Sequence, residues 1–205
     1  VNVLHGRMEG AQLAGFANVT TKNVDGLQMA GFANAAGGDV RLAQLAGFVN
    51  YGSNVGGGQL AGFCNFANGN VGGIQAAGFF NVANGNIGGC QMAGFLNLSH
   101  DVGMIQAAGA INVSTGTING LQAAGLINVA QNINGIQLAP FNFADSVSHR
   151  GTPIGLFSYA NNGYHSMGIG ANEYGLYNFT FKTGVDRFYN LFGFGLGVHE
   201  LGLMY

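Results

Sequence analysis

Polar and apolar residues along this chain follow one pattern that returns every 15 or 16 residues. In each copy a glutamine has apolar neighbours and is followed by alanine at the second position. Glycine follows at the third position except at Pro140, and asparagine usually follows at the sixth. Short alternating stretches rich in β-branched and aromatic residues are typical of β-strands, and asparagine–glycine segments between them indicate tight turns. The pattern therefore predicts an all-β protein built from short strands.

The copies align on nine glutamines and eight asparagines. The glutamines are Gln12, Gln28, Gln44, Gln59, Gln75, Gln91, Gln106, Gln122 and Gln137. The asparagines are Asn18, Asn34, Asn50, Asn65, Asn81, Asn97, Asn112 and Asn128. In the ninth copy the asparagine position falls on Phe143, and a degraded tenth copy has Pro153 at the glutamine position. A fixed short period of this kind indicates a repeat architecture.

Two repeat architectures fit strands of this length. In a parallel β-solenoid each copy is one coil, and like residues stack on like at about 4.8 Å. In an antiparallel outer-membrane β-barrel each copy is one strand, and its apolar residues form a lipid-facing stripe. The distance between successive glutamines varies between 15 and 16 residues, which favours the solenoid. A loop between stacked coils can absorb one extra residue. In an antiparallel hairpin, one residue more or less tends to turn the following side chains to the other face of the sheet. Turns at alternate ends of a barrel should also differ, and here they look alike.

A third argument for the solenoid comes from side-chain volume. The residues one and five positions after glutamine exchange bulk between copies, as in Leu13 with Ala17 and Ala76 with Phe80. A close-packed core imposes such a balance, whereas lipid does not. We therefore expect both positions to reach one shared interior.

The invariant residues acquire structural roles in a solenoid. Stacked asparagine and glutamine amides can hydrogen-bond to their copies in the coils above and below, as amide ladders do in cross-β structures. Alanine and glycine after glutamine are expected to form a tight corner. Charged residues three positions before glutamine (Glu9, Asp25 and Arg41) are expected to face solvent.

The period ends near residue 145. Residues 1–145 are predicted to form the repeat array, and residues 146–205 the degraded last repeat plus two or three antiparallel aromatic strands with hairpins. These strands are interpreted either as a cap over the last coil or as the beginning of a membrane barrel completed by later sequence. Because Asn2-Val3 matches Asn18-Val19, the chain begins inside a repeat, and we expect it to be part of a longer protein.

Composition narrows the function classes. Only 7% of the residues are charged, the net charge is −2, and there is no basic or acidic block, so nucleic acid is not an expected partner. No run of about 20 apolar residues predicts a transmembrane helix. Cys64 and Cys90 are too few for a disulfide scaffold and are expected to be small core residues.

Candidate catalytic chemistry is sparse. No histidine has a second metal ligand at a suitable spacing, apart from a directly adjacent carboxylate; the histidines are His5, His100, His149, His165 and His199. Neighbouring residues of a strand point to opposite faces, so a histidine and an adjacent carboxylate do not bind one metal ion together. Serine nucleophile elbows and phosphate-binding loops are missing. The one charge cluster, Glu173, Lys182, Asp186 and Arg187, is interpreted as a solvated hairpin tip. We predict no enzymatic activity, no cofactor, no metal and no small-molecule substrate.

The unit "GxQxAGFxNVA", the segment "QLAPFNFADS" and the tail "NGYH … FKTG … FYN" together resemble a family of bacterial surface-repeat proteins of spirochaetes and Bacteroidetes. The resemblance covers essentially the whole chain. It implies a location at the cell surface or outer membrane of a Gram-negative bacterium, and it supplies no catalytic or ligand-binding residues.

The expected function is that of a non-enzymatic spacer or docking surface for partner proteins in an outer-membrane or surface assembly, with membrane contact as a further feature. An outer-membrane pore or anchor is the main alternative. A polysaccharide-binding surface is the third, and it requires an exposed row of aromatic or carboxylate residues.

Overall fold

The computed structural model describes residues 1–171 and 177–196, and every regular element in those ranges is a β-strand. The strands form two long sheets and one short sheet. The first, here called the Asn sheet, contains β1 (Asn2–Leu4), β3 (Ala17–Thr20), β5 (Ala33–Ala36), β7 (Val49–Gly52), β9 (Cys64–Ala67), β11 (Phe80–Ala83), β13 (Leu96–Ser99), β15 (Ile111–Ile118), β17 (Ile127–Ile133), β19 (Phe141–Val147) and β21 (Phe157–Ala160). The second, the Gln sheet, contains β2 (Ala11–Ala14), β4 (Leu27–Ala30), β6 (Ala43–Ala46), β8 (Gly58–Ala61), β10 (Ile74–Ala77), β12 (Cys90–Ala93), β14 (Ile105–Ala108), β16 (Leu121–Ala124), β18 (Ile136–Leu138) and β20 (Thr152–Ile154). The third, the cap sheet, contains β22 (Tyr164–Ala171), β23 (Tyr177–Val185) and β24 (Phe188–Leu196).

All neighbours in the two long sheets pair in parallel, one repeat apart. Gln75 pairs with Gln59 on one side and Gln91 on the other, and Asn81 pairs with Asn65 and Asn97 in the same way. The prediction of a parallel β-solenoid is therefore confirmed, and the alternative of an antiparallel barrel built from the repeats is wrong. At about 4.8 Å per coil, an eleven-stranded stack is roughly 48 Å long.

Each coil has a narrow third side made of single parallel bridges. These join Met8, Val24, Val40, Val55, Val71, Ile87, Val102 and Ile118 in one column. Every member is at most 4% exposed, so this column, four residues before each glutamine, forms the apolar core of the rod. Alanines eight positions after glutamine, such as Ala67 and Ala83, pack with it.

The irregular spacing is absorbed in a loop, as expected for stacked coils. Between Gln44 and Gln59 the repeat is 15 residues long, yet Val40 still bridges Val55 and Asn50 still pairs with Asn65. The shorter loop lies between β7 and Val55, so the strands keep their register while loop length changes.

The glycine three positions after glutamine lies at the corner between the two long sheets. A Cβ atom added to Gly94 would lie 2.1 Å from the carbonyl oxygen of Gly78, the equivalent glycine of the preceding coil. That distance is far below a van der Waals contact, so the stacking of backbones at the corner leaves no room for a side chain. The prediction of a tight corner is confirmed.

The expectation of a shared core for the residues one and five positions after glutamine is wrong. Leu13 and Leu60 are 63% and 46% exposed, and Phe80 is only half-buried. Because successive side chains of a strand point to opposite faces, a glutamine that points inward turns the next residue outward, and an inward asparagine does the same to the residue before it. The exchange of bulk between these positions therefore does not arise from a common interior.

The turns between the strands need no left-handed asparagine, because among the described residues no side-chain-bearing residue has a positive φ. Glycine is required at some turns because neighbouring coils approach closely there. A Cβ atom on Gly73 would lie 1.8 Å from the carbonyl oxygen of Gly57.

The asparagine column continues through the ninth copy, contrary to the assignment of Phe143 to that position. Asn128 pairs with Asn142, and Phe143 pairs with Val129 on the outer face. Pro140 alone occupies the corner where other copies have two residues, so the asparagine moves one position closer to Gln137. In the tenth copy Pro153 pairs with Gln137, as the alignment predicted.

The cap sheet is antiparallel, as predicted for the tail, and it lies against the last coil. The Asn190 side chain accepts a hydrogen bond from the Ser158 amide at 3.2 Å and donates one to the Gly155 carbonyl at 3.0 Å. The buried Thr183 hydroxyl donates to the Ser158 carbonyl at 3.1 Å. These bonds fix the cap sheet to the end of the Asn sheet, while the interpretation of the tail as the start of a membrane barrel stays a prediction.

Candidate functional site

The eight predicted ladder asparagines form one continuous buried column. The Nδ2 of Asn81 donates to the Oδ1 of Asn97 at 3.0 Å, to the carbonyl of Met92 at 2.6 Å and to the carbonyl of Gln75 at 3.3 Å. Its own Oδ1 accepts from Asn65 Nδ2 at 2.9 Å. The same bonds recur from coil to coil, and each asparagine also closes the corner by binding the glutamine carbonyl of its own copy.

The nine glutamines form a second column whose hydrogen bonds run in the opposite direction. The Nε2 of Gln91 donates backward to the Oε1 of Gln75 at 2.8 Å, whereas each asparagine donates forward along the chain. Gln12 at the first coil is half-buried, and the other eight glutamines are fully buried. The column ends at Gln137, whose buried Oε1 has no partner among the described residues because Pro153 replaces the next glutamine.

A third column of amide and carboxylate groups lies on the outside and was missed by the sequence reasoning. It comprises Asn23, Asp39, Asn54, Asn70, Asn86 and Asp101, each five positions before a glutamine. The Oδ1 of Asn70 accepts a hydrogen bond from the backbone amide of Asn86 at 2.8 Å, and the other members bind the following coil in the same way. The sequence does indicate this column, because its residues all lie five positions before a glutamine.

An open apolar groove runs along the Gln sheet. Its volume is about 1270 Å³. It is lined by the three residues that follow each glutamine, bulky or small at the first position, alanine at the second and glycine at the third. The bulky lining residues are Leu13, Met29, Leu45, Leu60, Met92 and Leu138. Every described residue that lines this groove is uncharged.

A ridge of phenylalanine rings lies at the corner beside the Gln sheet, because each ring directly follows the corner glycine that comes three positions after glutamine. Its members are Phe16, Phe32, Phe48, Phe63, Phe79 and Phe95. Successive rings are nearly parallel, with centroids 4.7 to 5.1 Å apart. Five of the six expose at least 41% of their surface, so the stack stands open to solvent along the first six coils.

The described histidines lie at turns and on the surface. The Nδ1 of His100 lies 3.0 Å from the Thr115 hydroxyl, and His165 stacks on Tyr159 while its Nε2 contacts the Ala160 carbonyl at 2.9 Å. His5 and His149 are exposed, and His199 lies outside the described residues. Within residues 1–171 and 177–196, no three His, Cys, Asp or Glu residues are grouped closely enough to hold a metal ion.

The charged residues of the first coils pair with one another. Arg7 and Arg41 both pair with Asp25, whose side chain they cover to 10% exposure, so Asp25 does not face solvent as freely as predicted, whereas Glu9 does.

The predicted charge cluster of the tail is dispersed. Lys182 lies over the ring of Tyr189 at 3.8 Å and near that of Tyr164 at 4.7 Å. Asp186 and Arg187 form the turn of the hairpin, and Glu173 lies outside the described residues.

Both cysteines are free thiols. Cys64 is 4% exposed, and burial raises the pKa of its thiol because the thiolate would lose its hydration. Cys90 is half-buried in the Gln sheet. In the part of the chain that the structure describes, no helix has the length and apolarity needed to cross a membrane.

Comparison with known proteins gives no match to a protein-family model, a curated protein or a solved structure. Function is therefore inferred from the chain's own sequence and surface chemistry.

Proposed function

We propose that this chain is a non-enzymatic module at the cell surface or outer membrane of a Gram-negative bacterium, where it acts as a rigid spacer and docks partner proteins. The observation that carries the proposal is the apolar groove with its phenylalanine ridge, both of which continue from coil to coil along the rod. A monomer rarely exposes a contiguous apolar surface of this extent unless the surface has a binding role.

Rigidity is supported by the interior. Two amide ladders, a valine and isoleucine column and parallel backbone bonds join successive coils of the repeat array. Because the same bonds recur from coil to coil, the surface repeats one geometry along the rod. A docking surface benefits from such preorganisation, since binding then orders few groups.

The location is supported by the resemblance of the repeat and tail sequences to bacterial surface-repeat proteins. A test uses intact cells of the organism that encodes the chain and a membrane-impermeant amine reagent. Lys22 is exposed on the solenoid, and we expect it to be labelled before lysis. Labelling only after lysis would contradict a surface location.

Docking is tested separately with a photo-reactive side chain in place of Leu60, in the groove. Its control replaces Tyr51, which is 44% exposed on the outer face of the Asn sheet, against 46% for Leu60. We expect covalent products in cells from the groove position and few or none from the control. Equal yields from both positions would contradict a docking role for the groove.

A further inference from the structure

The outer face of the Asn sheet is apolar along the whole stack. The residues directly before and after each column asparagine point outward, because the asparagine itself points inward, and Ser158 takes its place in β21. From β3 to β21 every one of these outward residues is aliphatic, aromatic or cysteine. The two outward columns are here called the Asn face. A contiguous apolar surface of this extent is typical of an interaction site.

Charged residues lie away from the Asn face. Within residues 1–144 all of them lie in the turns that lead from the Asn sheet to the Gln sheet, as Arg7, Asp25 and Arg41 do. The groove proposed above as a docking surface belongs to the Gln sheet. A partner of the Asn face therefore needs no charge, and it leaves the groove free.

Side-chain size along the Asn face selects among apolar partners. The N-terminal coils carry small residues such as Ala17 and Ala33, and the C-terminal coils carry large ones such as Phe141 and Phe143. A close-packed partner must present the reverse order of sizes at the same spacing between coils. A second copy of this chain, turned end to end, meets both conditions.

We propose that two copies of this chain form an antiparallel dimer through their Asn faces. The two-fold axis runs parallel to the strands, between the two sheets, at the level of β11. It reverses the order of the coils and leaves each outward column facing the same column of the other copy. All eleven strands of the two Asn sheets then overlap. Because the interface is self-complementary, it closes at two copies.

Small residues face large ones across this interface. Ala17 faces Phe141 of the other copy, and Val19 faces Phe143 of the other copy, two positions further along the same strands. Aligned sheets pack about 10 Å apart, with the side chains of both filling the space between them. The combined bulk therefore stays nearly constant from one end of the interface to the other.

The same residues disfavour a parallel dimer. A two-fold axis along the rod would place the residue before each asparagine over the residue after it, in the same coil of the other copy. Phe141 would then meet Phe143, whereas Ala33 would meet Ala35. One end of the interface would be overfilled and the other would contain a gap, and both are unfavourable in a packed interface.

The available area suits a stable dimer. A stack of eleven strands is roughly 48 Å long, and a strand of four residues adds a width of about 13 Å. The Asn face thus measures about 600 Å² even before the relief of its side chains is included. Two such faces provide about 1,200 Å², which reaches the range of specific protein interfaces.

Sedimentation velocity on the purified full chain across a range of concentrations tests the proposal. We expect a dimer, and we expect Val82→Glu in β11 to weaken association at least about 100-fold, because the axis brings two carboxylates together in an apolar contact. Leu60→Glu on the Gln sheet is the control and should leave association unchanged. Circular dichroism establishes that each variant is folded.

An exchange of side-chain size tests the orientation. Ala17→Phe sets two rings against each other and Phe141→Ala leaves a gap, so each variant is expected to weaken association about tenfold. The double variant again places a small residue opposite a large one and should recover most of that loss. Failure to recover would overturn the antiparallel orientation. So would tighter association of Phe141→Ala alone, because in parallel rods that change relieves the contact with Phe143.

The dimer and the docking function can fail separately. A chain that stays monomeric at about 100 μM, or a dimer that Leu60→Glu dissociates as strongly as Val82→Glu, would overturn the dimer. If such a monomeric chain still captures other proteins in cells through the photo-reactive group at position 60, the docking function stands. Tyr51 faces Val113 of the other copy, so a covalent pair of two copies formed at position 51 supports the dimer and does not count as capture of a partner protein.

Discussion

At the scale of single residues, the fold depends on amides that bind their own copies. A buried polar group without a partner costs about 1–3 kcal/mol, so a core containing both a glutamine and an asparagine in every coil is stable only if each amide is bonded. Asn81 achieves this because Asn65 and Asn97 hold identical groups one coil away on each side. Each amide bonds to the equivalent residue of the neighbouring coil, which explains why the same residue recurs at these positions from copy to copy.

Replacing one ladder asparagine is therefore expected to damage its neighbours as well as itself. Asn81→Ala removes the acceptor of Asn65 Nδ2 and the donor to Asn97 Oδ1, and both groups stay buried. We expect a loss of about 3 kcal/mol in the free energy of unfolding, measured by urea denaturation.

Asn84→Ala is the matched control, because Asn84 lies three residues further along the same coil and its amide bonds only to the exposed Asn68 at 3.1 Å. Its cost should be below about 0.5 kcal/mol, as is usual for exposed positions. Similar costs for the two variants would show that the internal ladder contributes no more than the surface one.

At the scale of elements, the corner glycine sets how closely coils approach. Gly94→Ala brings a methyl group against the Gly78 carbonyl, so the two coils must separate and several backbone bonds must lengthen. We expect a fall in melting temperature of at least about 5 °C by circular dichroism, equivalent to more than 1 kcal/mol.

Gly88 in the same coil provides the comparison. A Cβ atom there would meet nothing closer than 3.7 Å, and its φ is not positive, so alanine fits without strain. Gly88→Ala should be neutral or stabilise the chain by about 0.5 kcal/mol by restricting the unfolded state. If both variants melt alike, steric contact at the corner is not the reason for glycine at that position.

The repeat pattern predicts which residues stack on one another, but it predicts less well which face of a strand each residue occupies. Repeated identity predicted parallel stacking and the columns at Gln75 and Asn81, because in-register copies are the simplest use of an invariant amide. Strand alternation beside an inward Gln75 and an inward Asn81 turns Ala76 and Phe80 outward, but the exchange of bulk between these two positions indicates a shared interior when it is considered by itself. The groove was missed for the same reason, because its lining residues were assigned to the interior.

At the scale of the whole molecule, a solenoid distributes stability along one axis. Contacts join neighbouring coils, so a local defect should loosen the coils beside it and leave distant coils unchanged. The cap sheet covers one end of the Asn sheet, and its attachment depends on a few side chains, among them Asn190. A substitution that loosens the cap sheet therefore distinguishes local unfolding of the C-terminal coils from unfolding of the whole rod.

Asn190→Ala removes both bonds from the cap sheet to Ser158 and Gly155. We expect amide hydrogen exchange in β19 and β21 to accelerate about tenfold, since one or two lost bonds amount to roughly 1.5 kcal/mol, while β3 to β7 exchange as before. Peptide-resolved hydrogen-exchange mass spectrometry measures both regions in one experiment. Asn161→Ala is the control, because its exposed amide bonds to Asp145 at 3.1 Å within the stack and does not touch the cap. Acceleration spread evenly from β3 to β21 would mean that the rod unfolds as one unit, since a nearest-neighbour array confines the defect to its own end.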